Sequence, residues 1–158
     1  MTAEDLTRLL DKHGPALVLY ARQWCAAPED VVQEAIIKLS GQSCPPEDVL
    51  PWLYRVVRNQ AISVARSTQR RRLREARCAV DEAWFEPAGQ RLDAQTAAEV
   101  LEELPPEVRE VVIARLWGDL SFEEISRITE TSASTAHRRY QRGLALLRER
   151  LDSPCKKI

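Results

Sequence analysis

The sequence predicts an all-α protein made of two small helical lobes joined by an acidic linker. Apolar residues recur at helical spacing along most of the 158 residues, and the alternation typical of strands is nearly absent. The formal net charge of -1 hides a segregation, because residues 66–77 carry +5, residues 78–126 carry -9 and residues 127–158 carry +5. We therefore expect a first lobe at 1–76, an acidic linker at 77–98 and a second lobe at 99–158.

Three helices are expected in the first lobe. A stripe with i, i+3, i+4, i+7 spacing follows Gly14-Pro15 and predicts a helix with Pro15 in its first turn: Leu17, Tyr20, Ala21 and Trp24. The same spacing predicts a second helix that ends at Gly41: Val32, Ala35, Ile36 and Leu39. A third helix should begin near Pro51 and run into the arginine-rich block.

The second lobe has the helix start and stop signals of a helix-turn-helix. Pro105-Pro106 precedes an apolar stripe that stops at Gly118 and consists of Val108, Val111, Val112 and Leu116. Ser121 and Glu124 form a capping box, which predicts a short helix from Phe122 to about Thr129. A longer basic helix should follow Thr131-Ser132, with an apolar face at Ala136, Tyr140, Gly143 and Leu147.

Several function classes are poorly matched by the composition. The four cysteines, Cys25, Cys44, Cys78 and Cys155, form no Cys-x-x-Cys pair, and we interpret them as reduced thiols. The sequence contains no P-loop, dinucleotide-binding glycine pattern or zinc-protease motif, so we expect no enzyme, catalytic residue, metal or cofactor. No apolar run approaches the length of a membrane span and no signal peptide is evident, so we expect a cytoplasmic protein without membrane insertion.

The predicted third helix separates into two faces. With Leu53 at 0° and 100° per residue, Val57, Ala61 and Val64 fall within about 80° and predict a buried stripe. The opposite side, between about 140° and 260°, is basic and aromatic: Trp52, Arg55, Arg58, Asn59 and Arg66. An indole beside guanidinium groups suits single-stranded nucleic acid, because bases stack on rings while phosphates pair with cations. The alternative is a solvated charged helix whose Trp52 covers a neighbouring helix or the proline-rich loop before it.

The last helix presents a second basic surface. On its polar side lie Ser134, Arg138, Gln141 and Arg142, with Thr135 beside them and His137 on the flank. Arginine and glutamine read guanine and adenine edges in the major groove, and hydroxyls near a helix N-terminus suit phosphate contact. An ordinary surface helix with arginines near its C-terminal end is the alternative.

Acidic and amide side chains collect on the predicted second helix at Glu29, Asp30, Gln33 and Glu34. Acids in a first helical turn are expected from the helix dipole alone, so one interpretation is simple helix stabilisation. The other interpretation is a protein-binding face.

The two lobes together resemble bacterial RNA polymerase sigma factors. Four segments are similar to region 2 of these factors: residues 28–35 (PEDVVQEA), residues 52–59 (WLYRVVRN), Arg66 and Arg70-Arg71. Three segments are similar to region 4: residues 104–109 (LPPEVR), residues 121–125 (SFEEI) and residues 132–142 (SASTAHRRYQR). Two lobes with little between them resemble the extracytoplasmic-function (ECF) subgroup.

The resemblance implies a promoter-specificity subunit that binds core RNA polymerase and promoter DNA. It implies an acidic face that contacts the polymerase β′ clamp: Glu29, Asp30, Gln33 and Glu34. It implies an arginine face that captures and melts the -10 element: Trp52, Arg55, Arg58, Asn59, Arg66, Arg70 and Arg71. It implies a recognition face that reads the -35 element: Ser134, Thr135, His137, Arg138, Arg139, Gln141 and Arg142. The apolar surface of the second lobe would meet the β flap, and an anti-sigma factor is a further expected partner.

Four positions depart from the family pattern. Ser63 stands where aspartate is common, and Ser126 and Gly143 stand where alanine is usual. Glu130 occupies a turn position usually held by glycine, so a positive φ there would strain the turn. The competing hypotheses are a stand-alone helix-turn-helix regulator, a sigma-like module that sequesters an anti-sigma factor, and an RNA-modifying enzyme.

Overall fold

The computed structural model describes residues 2–75 and 99–152, and every regular element within these two ranges is an α-helix. The helices are α1 (Ala3–Ala21), α2 (Pro28–Ser40), α3 (Val49–Glu75), α4 (Pro106–Leu116), α5 (Phe122–Thr129) and α6 (Ala133–Asp152). Residues 99–102 are also helical and precede α4. The all-α prediction is confirmed, whereas the predicted linker at 77–98, Cys78 and Cys155 lie outside the described residues. Among the described helices, none has the length and apolar character needed to cross a bilayer.

Helix α1 begins well before the residue that the sequence predicted. Thr2 and Asp5 form a capping box, in which Thr2 N donates to Asp5 Oδ2 at 2.9 Å and Asp5 N donates to Thr2 Oγ1 at 3.2 Å. Pro15 therefore lies inside the helix and not in its first turn. Pro15 has no N–H to donate to the carbonyl of Asp11, and because both residues are exposed, water can supply that hydrogen bond instead.

Helices α1, α2 and α3 pack into the first lobe. Leu53, Val57 and Ala61 of α3 are fully buried, as their predicted stripe requires. Val64 is 38% exposed, so its predicted burial is wrong. At 27 residues, α3 is longer than α1 (19 residues) and α2 (13 residues), and most of its residues from Ser63 to Arg74 are exposed.

Helices α4, α5 and α6 form the second lobe with the predicted helix-turn-helix. Ser121 N donates to Glu124 Oε2 at 2.7 Å, and Glu124 N donates to Ser121 Oγ at 3.2 Å, which confirms the capping box and the start of α5. After α5 the chain turns at Glu130, whose φ of 57° and ψ of 40° are left-handed. Val108, Val111 and Val112 of α4 are fully buried at the centre of this lobe.

The two lobes pack directly against each other. Helix α1 contacts α4 and helix α3 contacts α5, so the buried side chains of both lobes join into one continuous core. Tyr20 and Tyr54 meet edge to face in this region, with ring centroids 4.8 Å apart. The structure is therefore a closed arrangement of the two lobes.

Candidate polymerase and nucleic-acid interfaces

The acidic face is solvent-exposed at all four of its residues, Glu29, Asp30, Gln33 and Glu34. Burial of Val31, Val32, Ala35 and Leu39 against α1 and α3 turns these polar side chains outward. Ile37 lies one helical turn beyond Gln33 and Glu34 and is 67% exposed. An isoleucine this exposed beside carboxylates gives the face an apolar contact point, which the sequence analysis missed because Ile36 and Ile37 are adjacent and only burial distinguishes them.

The arginine face divides into two parts along α3. In the distal part Asn59, Arg66, Arg70 and Arg71 are exposed, and Asn59, Arg66 and Arg70 line a shallow open groove. Ile62 and the 66% exposed Leu73 also line this groove, so it combines guanidinium groups with apolar surface. Such a combination suits a strand whose phosphates and unstacked bases lie side by side.

The proximal part of the arginine face is engaged by the second lobe. Arg58 Nε donates to Glu110 Oε1 at 2.5 Å, and Arg55 Nη2 donates to the carbonyl oxygen of Arg127 at 3.1 Å. Trp52 is only partly buried and packs against the core, as the alternative interpretation of a covering indole expects. Arg58 is thus paired with the second lobe while it also lines the near end of the groove that Asn59, Arg66 and Arg70 line.

Glu110 is the centre of the contact between the lobes. Glu110 is 6% exposed, and its Oε1 also accepts a hydrogen bond from Tyr20 Oη at 2.7 Å. Sequence reasoning did not single out this residue, because helical spacing puts Glu110 about 200° away from Val108, opposite the predicted stripe. The one signal was apolar Ile113 and Ala114, which flank Glu110 on that side and are also buried. Tyr20 and Arg58 of the first lobe cover Glu110 on that side.

Electrostatics inside this contact follow from burial and pairing. The pKa of Tyr20 lies well above its ordinary value because burial, the charge of Glu110 and the hydrogen bond to Glu110 all disfavour the phenolate. Burial alone would lower the pKa of Arg58, but the hydrogen bond to Glu110 and the charge of Glu110 outweigh it and raise that pKa. The guanidinium and the carboxylate are therefore held as an ion pair.

The recognition face projects from the N-terminal half of α6. Five of its residues are exposed: Ser134, His137, Arg138, Gln141 and Arg142. Thr135 and Arg139 are half-buried. Ser132 Oγ accepts from Thr135 N at 3.1 Å, which caps the helix as the sequence predicted and places two further hydroxyls nearby. The arrangement presents donors for phosphate at the helix start and base-reading side chains one to two turns later.

An aromatic cluster packs α6 against α5. Phe122 meets the rings of His137 and Tyr140 edge to face, with centroid distances of 5.0 and 5.6 Å. The guanidinium of Arg115, on α4, lies 5.1 Å from the centroid of the Phe122 ring. His137 thus joins the packing at the edge of the recognition face, a role that its flank position left open.

Comparisons with known proteins agree with this architecture. Residues 9–71 match the family described as sigma-70 region 2, and residues 95–147 match the family described as sigma-70, region 4. The RNA polymerase sigma factor SigV of Bacillus subtilis (strain 168) is 30% identical over 129 residues, which cover 77% of this chain and 74% of that protein.

Two solved structures share the fold at 23% sequence identity. The sigma factor RpoE, in complex with the anti-sigma factor NepR from Bartonella quintana, superposes with a TM-score of 0.71 over 97% of this chain and 100% of that chain. CnrH, in complex with the cytosolic domain of CnrY, superposes with a TM-score of 0.62 over 98% of this chain and 92% of that chain. With both regions present in the same order, the chain belongs to the ECF subgroup of the sigma-70 family, whose members bind core RNA polymerase and direct promoter-specific transcription initiation.

Proposed function

We propose that this sigma factor divides its work between residues 1–76, which bind core polymerase and the -10 element, and residues 99–158, which read the -35 element. The linker between them is assigned to 77–98. The observation that carries the proposal is the separation of three exposed polar faces, each on its own helix: acidic on α2, arginine-rich on α3 and recognition on α6.

The acidic face is the docking surface for the coiled coil of the β′ clamp. Glu29, Asp30 and Glu34 supply negative charge, and Ile37 supplies apolar area in their midst. Desolvated apolar contacts contribute most of the affinity of an interface, while the charges set the encounter rate and the orientation.

The arginine face and the recognition face divide DNA binding by strand state. The groove along distal α3 takes the separated strand of the -10 element, with bases against Ile62 and Leu73 and phosphates on Arg66 and Arg70. Helix α6 enters the major groove of the duplex at the -35 element, where Arg138, Gln141 and Arg142 reach base edges.

The remaining assignments follow from this mode of action. The chain has no catalysis of its own and works in the cytoplasm, beside the polymerase. An anti-sigma factor is a proposed partner, supported by the fold shared with RpoE and CnrH, whose structures contain NepR and CnrY respectively. Binding to the β flap is assigned to the apolar surface around Leu116 and Trp117, which are 47% and 43% exposed.

A titration with core polymerase tests the docking assignment. Fluorescently labelled full-length chain should bind saturably, with a rise in anisotropy, and the pair Asp30→Ala with Gln33→Ala should weaken binding by about tenfold or more, as loss of a hot spot does. The matched control is Asp11→Ala with Gln42→Ala, which removes one exposed acid and one exposed amide from the same lobe. Equal affinity of the two double variants would overturn the assignment of the acidic face.

A further inference from the structure

The ring of His137 packs on the aromatic cluster of the second lobe. Phe122 meets that ring edge to face at 5.0 Å, with an angle of 84° between the ring planes. Phe122 is itself in contact with the guanidinium of Arg115, which also donates from Nη1 to the carbonyl oxygen of Leu120 at 2.8 Å. These contacts restrict the rotation of the His137 ring, although the residue as a whole is exposed.

Gln141 follows His137 by one helical turn, and the two side chains meet on the recognition face. Gln141 Nε2 lies 3.5 Å from His137 Nε2, as the spacing of four residues on a helix allows. A neutral imidazole with its proton on Nδ1 presents Nε2 as an acceptor, so one N–H of the Gln141 amide can donate to it. Within the described ranges, no hydrogen bond or ion pair restrains the guanidinium groups of Arg138 and Arg142. Of these three base-reading side chains, Gln141 is therefore the one that a neighbour orients before DNA binds.

The amide of Gln141 has two N–H groups and one oxygen, so it can contact His137 and a base at the same time. When the N–H that points away from Oε1 donates to His137 Nε2, the other N–H stays beside Oε1. This remaining pair of donor and acceptor matches N7 and the N6 amino group of adenine in the major groove. Guanine presents two acceptors there, N7 and O6, so Oε1 would face an acceptor with no hydrogen between them.

We propose that His137 is a positioning residue, which holds the amide of Gln141 in the orientation that reads adenine at one position of the -35 element. This role rests on the function proposed for α6, and it gives His137 an action through its neighbour instead of a base contact of its own. Pre-orientation favours adenine because the amide loses less conformational freedom when it binds that base. Turning the amide over to suit guanine would break its contact with His137.

Base preference at each position of the -35 element tests this role. Holoenzyme assembled from core polymerase and the full-length chain selects fragments from a pool of randomised duplex DNA, and the bound fragments are sequenced. The wild type should prefer adenine to guanine by about tenfold at one position, and Gln141→Ala should abolish that preference. His137→Phe keeps a ring against Phe122 but lacks the acceptor, so it should reduce the same preference by about threefold or more. Preferences at the other positions should stay unchanged in His137→Phe.

Tyr140→Leu is the control for loosened packing, because Tyr140 supplies the other ring that packs on Phe122, at 5.6 Å. An intact adenine preference in His137→Phe would overturn the positioning role, as would an equal loss in His137→Phe and Tyr140→Leu.

A profile that Gln141→Ala leaves unchanged would also overturn the positioning role, and a further variant then shows whether the proposed function fails with it. If Arg138→Ala with Arg142→Ala still alters base preferences within the -35 element, α6 reads that element without the help of His137. If this double variant alters none of them, the assignment of α6 to the -35 element is wrong as well.

Discussion

Gly143 of α6 lies against Val112 of α4 with no room between them for a methyl group. A Cβ built on Gly143 overlaps Val112 Cγ2 and stands 2.9 Å from Val108 Cγ1, and both valines are fully buried. The glycine that departs from the family pattern thus permits a close approach of the helix that carries the recognition face to the helix beneath it. Its absence of a side chain is a packing requirement of this particular second lobe.

Gly143→Ala should therefore destabilise the protein. Overpacking against stiff β-branched side chains costs about 1–3 kcal/mol, and the gain in helix propensity offsets about 1 kcal/mol of that. We expect a net loss of up to about 2 kcal/mol in the free energy of unfolding, measured by urea titration. Gly41→Ala is the control, because a Cβ there stands 3.6 Å from its nearest neighbour and the residue has a φ of -82°. A loss of equal size in both variants would contradict the packing argument.

Glu130→Gly should stabilise the second lobe. Glu130 adopts a φ of 57°, which costs a residue with a side chain about 1–2 kcal/mol relative to glycine, and the greater freedom of glycine in the unfolded chain returns part of that gain. We expect a net gain of up to about 1 kcal/mol in thermal or urea unfolding. Glu130→Gln removes the same charge without relieving the backbone, so its stability should stay near that of the wild type.

Stability should fall in alkaline solution through the buried tyrosines. Burial raises the pKa of Tyr20 and of Tyr54 above the ordinary value of 10.0, and the charge and hydrogen bond of Glu110 raise that of Tyr20 further, against the opposing charge of Arg58. A raised pKa in the folded state contributes stability that is complete below about pH 10 and is lost as the pH rises above it. The urea midpoint should therefore decline above about pH 10, and more steeply in the wild type than in Tyr20→Phe. Parallel profiles would exclude a contribution from Tyr20.

The two DNA-binding faces should fail at different steps of initiation. Arg138→Ala with Arg142→Ala removes phosphate and base contacts on duplex DNA, so initial promoter binding by the holoenzyme should weaken, and the dependence of affinity on salt should become shallower. Arg58→Ala with Asn59→Ala should impair promoter opening more than initial binding, because single-stranded DNA exists only after melting. Filter binding and permanganate reactivity measure the two steps. Equal defects at both steps in both double variants would contradict this division.

Local signals predicted most of the helices. The capping box at Ser121 and Glu124 is complete within four residues, so it specifies the start of α5 before any tertiary contact forms. Gly41 ends α2 for the same local reason. The predicted start of α1 at Pro15 is wrong, because a capping box at Thr2 and Asp5 starts the helix earlier and an exposed proline inside a helix is tolerated.

Periodicity likewise predicted which helix faces carry the candidate sites. It placed the acidic face and the recognition face outward because each opposes an apolar stripe, and both are exposed in the structure apart from half-buried Thr135 and Arg139. It failed for Val64, since periodicity describes orientation around a helix and says nothing about where the neighbouring helices end.

The amino-acid sequence by itself determined the helices, their apolar stripes, the helix-turn-helix and the polar faces, because each depends on residues within a few turns of one another. Only the tertiary structure decided which polar residues lie between the lobes. Glu110 and Tyr20 are 90 residues apart, and each sits on a helix whose own pattern gives no sign of the other. Burial of a carboxylate depends on what covers it, and the covering surface here belongs to the other lobe.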